Sequence, residues 1–485
     1  MLLECVPNVS EGRDPAVIAA LGKAIAAGEE AFLLDTHSDP DHHRTVFTFA
    51  GSPRGVQEGA WRLIRAAAGR IDITRHDGVH PRMGAVDVCP FVPLGATPMS
   101  EAVAAARALA ERSARELAIP VYLYGEAALK PERRKLPHVR LSSFAALARA
   151  MAEDPGRAPD LGPGAPHPTF GAIAIGARPP LVAYNVDLAS ADPAAAEEIA
   201  GALRERDGGL PHVRALGFPL ASRGRTQVSM NLVDGERTPP AAAFEAAARM
   251  AERMGVPIAR SELVGLIPRA VVARSFAASL RLEPFARESI LEERIEDVLP
   301  LASYLDKAGA RGGGAVAADV GAIAAALLGF AGAVIHKGRV PFCDEAERLA
   351  LRFHCLSRAD KEAYEAYAAA RRASGKSGPS PEAAAALEAA CRIPLKVIET
   401  ARDACALGLT LDGAGSILAD CGVAAHLLAA AARSAKTTLD ANLRMRAAAP
   451  FADRLADEGR ALLAEAHDLA EKLLARAAPS GEGGG

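Results

Sequence analysis

The sequence predicts two sandwich-like α/β subdomains followed by an all-α antiparallel helical bundle. The prediction rests on three observations. Short β-branched and aromatic runs alternate with helical apolar spacing up to about residue 297. A Pro/Gly-rich stretch over 154–168 interrupts that alternation. From 298 onward strand signals vanish and Ala-rich helix with polar breaks takes over.

Taken in order, the runs at 32–35 (FLLD), 45–49 (TVFTF), 86–92 (VDVCPFV) and 121–124 (VYLY) read as strands, because each is short and bounded by turn formers. Residues 15–27 and 99–117 have helical spacing. Ser100 is the expected N-cap of the second helix, with Glu101 in its first turn. After the Pro/Gly break, 172–175 and 181–187 read as strands. A helix over 193–207, strands over 213–220 and 227–232, and a helix over 240–254 follow. The order β-β-α-β-β-α predicts a sheet with helices on one face. Beyond 298, breaks at 309–314, 374–380, 413–416 and Pro450 leave about five or six helices of roughly 12–30 residues. Ser380-Pro381-Glu382 has the form of an N-cap, an N1 proline and a first-turn acid. Residues 479–485 read as a flexible tail. The expected boundaries are 1–180, 181–297 and 298–485.

At about 150 residues per domain, 485 residues give two to four domains. Half the residues are hydrophobic, enough for a proper core in each. Lys and Arg number 56 against 59 Asp and Glu, so no bulk electrostatic grip on nucleic acid is expected. Aromatics are 4% with a single Trp, Trp61, which argues against base-stacking platforms. The seven cysteines contain no CxxC pair and read as reduced thiols of a cytoplasmic protein. The start, MLLECVPNVSEGRD, lacks a basic n-region, so no secretory signal is expected. Residues 316–335 have about the length of a membrane helix, but Asp319 lies inside them. A buried helix and no membrane partner are the expectation, since an intramembrane Asp is expensive.

The most informative run is HDGVHPRMGAVDVCPF at 76–91, which resembles the signature of glutamate formiminotransferase. ECVPNVSEG at 4–12, HRTVFTFAGSP at 43–53, PVYLYGEAA at 120–128, GPGAPHPTFGAIAIGAR at 162–178, QVSMNLVD at 227–234 and SELVGLIP at 261–268 agree, in the right order. The C-terminal half is similar to the cyclodeaminase fused to this transferase in bifunctional formiminotransferase-cyclodeaminases. The resemblance lies in GARGGGAVAADVGAIAAALLGFAGAV at 309–334 and DKEAYEAY at 360–367. The family loop reads PGGGS where this chain has Arg311-Gly312-Gly313-Gly314-Ala315.

The resemblance implies transfer of a formimino group from N-formimino-L-glutamate to tetrahydrofolate, possibly polyglutamylated. It then implies cyclisation of 5-formiminotetrahydrofolate to 5,10-methenyltetrahydrofolate with release of ammonia. It implies His80 as the catalytic histidine. The transfer needs a group that moves a proton near neutral pH, and a polar turn before a strand suits that role or a plain surface histidine. Arg82 either holds a substrate carboxylate or pairs structurally with Asp87, and Arg44 is a similar candidate. By resemblance, Gly162-Pro163-Gly164-Ala165-Pro166-His167-Pro168-Thr169-Phe170-Gly171 contacts folate, with Phe170 offering an aromatic face. As a bare sequence it reads equally as a linker.

For the second reaction the resemblance implies Asp360 as acid/base. It is expected at the start of a helix, where a first-turn acid stabilising the dipole is the plain alternative. Gly312, Gly313 and Gly314 precede a helix whose amides suit an anionic part of folate. The run Asp35-Thr36-His37-Ser38-Asp39-Pro40-Asp41-His42-His43 resembles a metal site, with three carboxylates and three imidazoles. Pro40 favours a turn instead, no remote cluster adds ligands, and the family needs no metal. A turn that lines substrate or lies on the surface is expected, with His37 a member that can face the active site. The amphipathic bundle predicts a homo-oligomer, at least a dimer. Three alternatives stay open. One is a transferase whose helical half only oligomerises. Another is transfer of a formyl rather than a formimino group. The third is a non-enzymatic helical assembly protein.

Overall fold

The structure, a computed structural model, describes residues 1–28, 30–140, 143–282, 285–286, 289–291, 312–374, 380–412 and 417–477. The expected breaks at 309–311, 375–379 and 413–416, the tail and Arg311 lie outside these residues. Contacts divide the chain into two units, Met1–Arg294 and Ile295–Gly485.

The first unit holds two sheets. In the first, β1 (Leu2–Cys5) and β2 (Asn8–Val9) form one strand broken at Val6-Pro7. They lie between β4 (Arg44–Gly51) and β5 (Val86–Leu94). β3 (Ala31–Asp39) pairs with β4 at one edge. β5 continues in parallel to β7 (Ile173–Ala177), and β7 to β6 (Val121–Gly125) at the other edge. Three helices, α1 (Pro15–Ala26), α2 (Pro53–Ala68) and α3 (Met99–Leu117), cover one face around Phe47, Phe49, Trp61, Phe91 and Phe170. α4 (Leu136–Val139) and α5 (Phe144–Glu153) cover the other, over Met83, Tyr122 and Tyr124.

Two expectations are corrected here. The N-cap of α3 is Pro98, with no side-chain bond, and Ser100 lies inside the helix. The strand expected at 172–175 belongs to the first sheet, not to the second unit of the β-β-α-β-β-α order. It is drawn there by a close backbone crossing. Gly171 N–H and Ala85 N–H enter a lattice of bonds with His167 O and Phe170 O, and Ala172 N–H donates to Met83 O. Gly171 has φ +81°, and a Cβ there would lie 2.2 Å from Met83 O.

The second sheet therefore has the order β8 (Val182–Leu188), α6 (Pro193–Leu203), β9 (Val213–Leu220), β10 (Arg225–Leu232), α7 (Pro240–Arg253), β11 (Ile258–Val264), followed by α8 (Arg269–Leu280). Its strands lie as β11-β8-β10-β9, all antiparallel, which is the split β-α-β arrangement. β11 escapes a sequence reading because it is an exposed edge strand with Arg260 and Glu262 in it.

The second unit contains five long helices among the described residues. They are α9 (Gly313–Ile335), α10 (Pro341–Ala373), α11 (Pro381–Leu409), α12 (Leu418–Leu443) and α13 (Ala452–Ala477). Ser380 caps α11 by accepting from Ala383 N–H, with Pro381 at N1. The core is built largely of alanine around Leu328, Phe353, Ile398, Leu428 and Leu473. α9 is long and apolar enough to cross a membrane, yet Asp319 and most of its alanines are buried in this bundle.

Replacing Gly171 with Ala should destabilise the first unit by about 2–4 kcal/mol, because the side chain meets both a forbidden φ and a carbonyl. Trp61 is the only tryptophan and is buried in that unit, so its fluorescence in urea reports the change. A loss under about 0.5 kcal/mol would contradict the crossing.

Candidate active sites

His80 lies in the turn 76–82, which is laced to the turn between β3 and β4. His76 donates from Nε2 to His43 O at 2.7 Å and accepts Gly78 N–H at Nδ1 at 3.1 Å. Burial above all pushes His76 down to about 4, so it stays neutral. Gly78 sits where a Cβ would be 2.4 Å from His42 O. Arg82 donates to Gly78 O at 2.6 Å and to His80 O at 3.0 Å, closing its own turn. The pairing with Asp87, one of the two roles the sequence leaves open for it, is not made. Asp87 instead accepts Met83 N–H at 2.7 Å and pairs with Arg140, which follows α4.

The hydrogen bonds of His80 define its tautomer. Nε2 lies 2.9 Å from Arg44 Nη1, and Nδ1 lies 2.9 Å from Pro81 O. A guanidinium only donates and a carbonyl only accepts. Nε2 therefore carries the lone pair, and Nδ1 carries the proton and donates it to Pro81. Arg140 Nη2, 3.0 Å from Nδ1, donates to Pro81 O at 2.5 Å. Burial first, then the charges of Arg44 and Arg140, hold His80 well below the ordinary histidine range. Burial and Arg140 push Arg44 down to about 10, so it remains charged at neutral pH. The result is a neutral imidazole whose basic nitrogen is covered by a cation that an anion can draw away.

The second sheet supplies the other wall. Phe218 of β9 stacks on His80, with ring centroids 5.4 Å apart and planes at 28°. Gln227 of β10 bonds His42 Nε2 at 3.0 Å. The run once suggestive of a metal site is dispersed among these contacts. Asp39 accepts His42 N–H at 2.8 Å and Arg223 Nη2 at 2.9 Å. Asp41 accepts Ser222 N–H at 3.1 Å and its hydroxyl at 2.5 Å. His43 accepts Gly12 N–H at 3.1 Å. His37 lines a small cavity with His42, Arg44, Asn185 and Glu262. Among the described residues no three His, Cys, Asp or Glu side chains are arranged to hold a metal.

The segment from Gly162 to Gly171 packs against this region. Thr169 O accepts Ile73 N–H at 2.8 Å, and His167 Nδ1 accepts Phe170 N–H at 3.1 Å. Phe170 points into the core at 0% exposure, so it offers no aromatic face to a ligand, contrary to the sequence expectation. Pro163, Gly164 and Ala165 are exposed, and Pro166 and Pro168 flank His167 at the surface. Arg140, Phe218 and Gln227 were not identified from sequence. Only Gln227 lay in a quoted motif, and nothing local marked the other two.

Asp360 lies deep inside the 33-residue helix α10, not at a helix start. It acts on another helix. Its Oδ2 accepts Ala315 N–H at 3.1 Å, capping the first turn of α9 across the bundle. Gly312 is the N-cap residue of α9, and Gly313 and Gly314 open its first turn. A Cβ on Gly314 would lie 2.3 Å from Asp360 Oδ1, so only glycine admits the carboxylate. Burial raises the Asp360 carboxyl, against the lowering pull of the Ala315 amide.

Three family models match in chain order. They are the N-terminal subdomain of the formiminotransferase domain over residues 2–178, the formiminotransferase domain over 183–294, and formiminotransferase-cyclodeaminase over 301–461. A formimidoyltransferase-cyclodeaminase of Mus musculus is 39% identical over 70% of this chain and 70% of its own length. That of Sus scrofa is 38% identical over 76% and 77%. The chain belongs to the formiminotransferase-cyclodeaminase family. A glutamate formimidoyltransferase of Streptococcus pyogenes serotype M1 is 40% identical over 61% of this chain and 98% of its own. In family terms, His80, Arg44 and Arg140 fall in the N-terminal transferase part, Phe218 and Gln227 in the second, and Asp360 in the cyclodeaminase part.

The tautomer and charge of His80 are open to direct measurement. In ring-labelled protein, NMR should show His80 neutral, protonated at Nδ1, and titrating only below pH 6.5. Arg44→Gln removes a charge that opposes the imidazolium, so the midpoint should rise toward 6.5. A midpoint at or above 6.5 in the unaltered protein would contradict the arrangement.

Proposed function

We propose that this chain carries out both reactions of its family, with formimino transfer at His80 and cyclodeamination at Asp360. The observation that carries the first assignment is the neutral His80 ring, with its Nε2 lone pair covered by Arg44. A carboxylate of N-formimino-L-glutamate draws Arg44 to itself and uncovers the lone pair, so the base is freed when substrate arrives. His80 then takes the proton lost by the attacking amine of tetrahydrofolate. It returns that proton to the departing glutamate nitrogen, which leaves the balance even. Arg82 lines the cavity but spends donors on closing its own turn, and Gly162–Ala165 with Pro168 and Thr169 are the exposed part of the neighbouring loop.

In the second unit, a carboxyl raised by burial holds a proton more readily than an ordinary aspartate. With the formimino group entering as an amidinium, Asp360 takes the proton from the second folate nitrogen and passes it to the nitrogen leaving as ammonia. The first-turn amides of Gly313 and Gly314 have no carbonyl one turn back to bond, which suits an anionic part of the folate.

His80→Ala should lower glutamate release by about 10²–10⁴-fold. Asp360→Asn keeps an oxygen for Ala315 N–H and should stop catalysed ammonia release while leaving glutamate release intact. Following glutamate, ammonia and methenyltetrahydrofolate absorbance together checks both. A drop below tenfold for His80→Ala with substrate still bound would remove His80 from its role. Ammonia release unchanged by Asp360→Asn would do the same for Asp360.

We further propose that the chain pairs with a second copy through α9. Val316, Val320, Ile323, Leu327, Phe330 and Val334 repeat at alternating spacings of four and three, the a/d pattern of paired helices. Ile323 and Phe330 are each 56% exposed, more than a lone helix face of this apolarity tolerates in water. Sedimentation equilibrium should give at least a dimer, and Ile323→Lys with Phe330→Lys should reduce the mass. An unchanged mass would assign the face no part in assembly.

A further inference from the structure

Beside His80 stands a second imidazole whose lone pair has no partner. His42 is 3% exposed. Its Nε2 bonds Gln227 Oε1 at 3.0 Å. The Gln227 amide cannot be turned round, because its nitrogen lies 2.8 Å from Asp187 Oδ1 and 3.2 Å from Glu262 Oε1, both acceptors. His42 Nε2 therefore carries the proton, and Nδ1 is left as an acceptor. Nδ1 is buried and has no hydrogen-bond partner. Buried polar atoms without partners are rare in folded proteins and point to an unfilled role.

The His42 ring lines the same small cavity as His80, Arg44 and Arg140. The two imidazole centroids are 5.8 Å apart, edge to face. Burial and the Arg44 charge oppose a proton on His42, so the lone pair persists at neutral pH.

We propose that His42 Nδ1 accepts the N–H of the formimino group and so makes the transferase site select an amidine over a formyl donor. This rests on the assignment of formimino transfer to His80. The two donors differ at one atom. The formimino carbon bears an N–H, which donates, whereas the formyl carbon bears an oxygen, which only accepts. An oxygen placed against Nδ1 would set lone pair against lone pair, and a site built to pair an N–H discriminates strongly against its isostere. The Arg44, Arg82 and Arg140 guanidiniums that line this cavity only donate, and its one carboxylate, Asp87, is engaged by Met83 N–H and by Arg140. His80 Nε2 is reserved for the proton in flight. His42 breaks no bond in this scheme.

The experiment compares kcat/KM for N-formimino-L-glutamate and N-formyl-L-glutamate, with tetrahydrofolate, in the unaltered enzyme, His42→Gln and His42→Asn. Glutamine reaches the Nε2 position and keeps the link to Gln227 without an acceptor at Nδ1. Asparagine does the reverse, setting its oxygen where Nδ1 stood. The ratio of the two donors does not depend on how much of a variant folds. The unaltered enzyme should favour the formimino donor, His42→Gln should cut that preference at least about tenfold, and His42→Asn should keep it within about threefold. A preference absent in the unaltered enzyme, or retained in His42→Gln, overturns the proposal. So does an equal loss in both variants, which would trace the effect to packing or to Gln227. Failure to transfer either group would instead remove the underlying assignment of transfer to this site.

Discussion

The first unit is organised around a cation held against a base. Arg44 covers the Nε2 lone pair of His80, and most of the nearby structure serves to keep the two together. Arg44 opens β4, so its backbone is fixed by the ladder with β3. His80 is fixed by Pro81 O on its other nitrogen, by Arg82 closing the turn beneath it, and by Arg140, itself anchored on the buried Asp87. Two guanidiniums beside one imidazole is an unfavourable grouping of charge. It is tolerated because Asp87 and Asp39 offset Arg44 electrostatically and because the imidazole stays neutral.

The two sheets of this unit meet over polar groups at the site. Gln227 joins His42 to Asp187 and Glu262, Asp39 receives Arg223, and Asp41 receives Ser222 twice. A buried network of this kind specifies geometry more than it adds stability, since each member is costly if unpaired. It stacks Phe218 on His80 and sets His42 edge-on to Phe218. Carboxylates that resemble metal ligands in sequence are here the fasteners between sheets.

What was legible in the sequence follows from how locally each feature is encoded. Strands such as β5 and β6 announce themselves through their own composition, and His80 and Arg44 through motifs that span them. Arg140 and Phe218 reach the site from elements distant in sequence, the end of α4 and β9, and nothing local marks them. Asp360 illustrates a different limit. The polar run Ser357-Arg358-Ala359-Asp360 resembles a helix start, but Phe353, Leu356 and Tyr367 continue one buried stripe through it, so the helix does not break. Asp360 lies on that stripe, which is why it is half-buried and reaches the end of α9. Phe170 was misjudged because a Pro/Gly-rich loop says nothing about which of its members turns inward.

The two candidate centres use one principle with opposite sign. At His80, burial and neighbouring cations expel a proton and leave a base ready at neutral pH. At Asp360, burial with no cation among its resolved influences raises the carboxyl, so it accepts a proton more readily than an ordinary aspartate before handing it on. In each case burial disfavours the charged form, and in each a single group from another element bonds the reactive atom, Arg44 at Nε2 and the Ala315 amide at Oδ2. Both proposed reactions take a proton from an attacking amine and return it to a leaving nitrogen, so each needs a group that can hold a proton and release it. How readily each group holds that proton is set by packing rather than by the residue type alone.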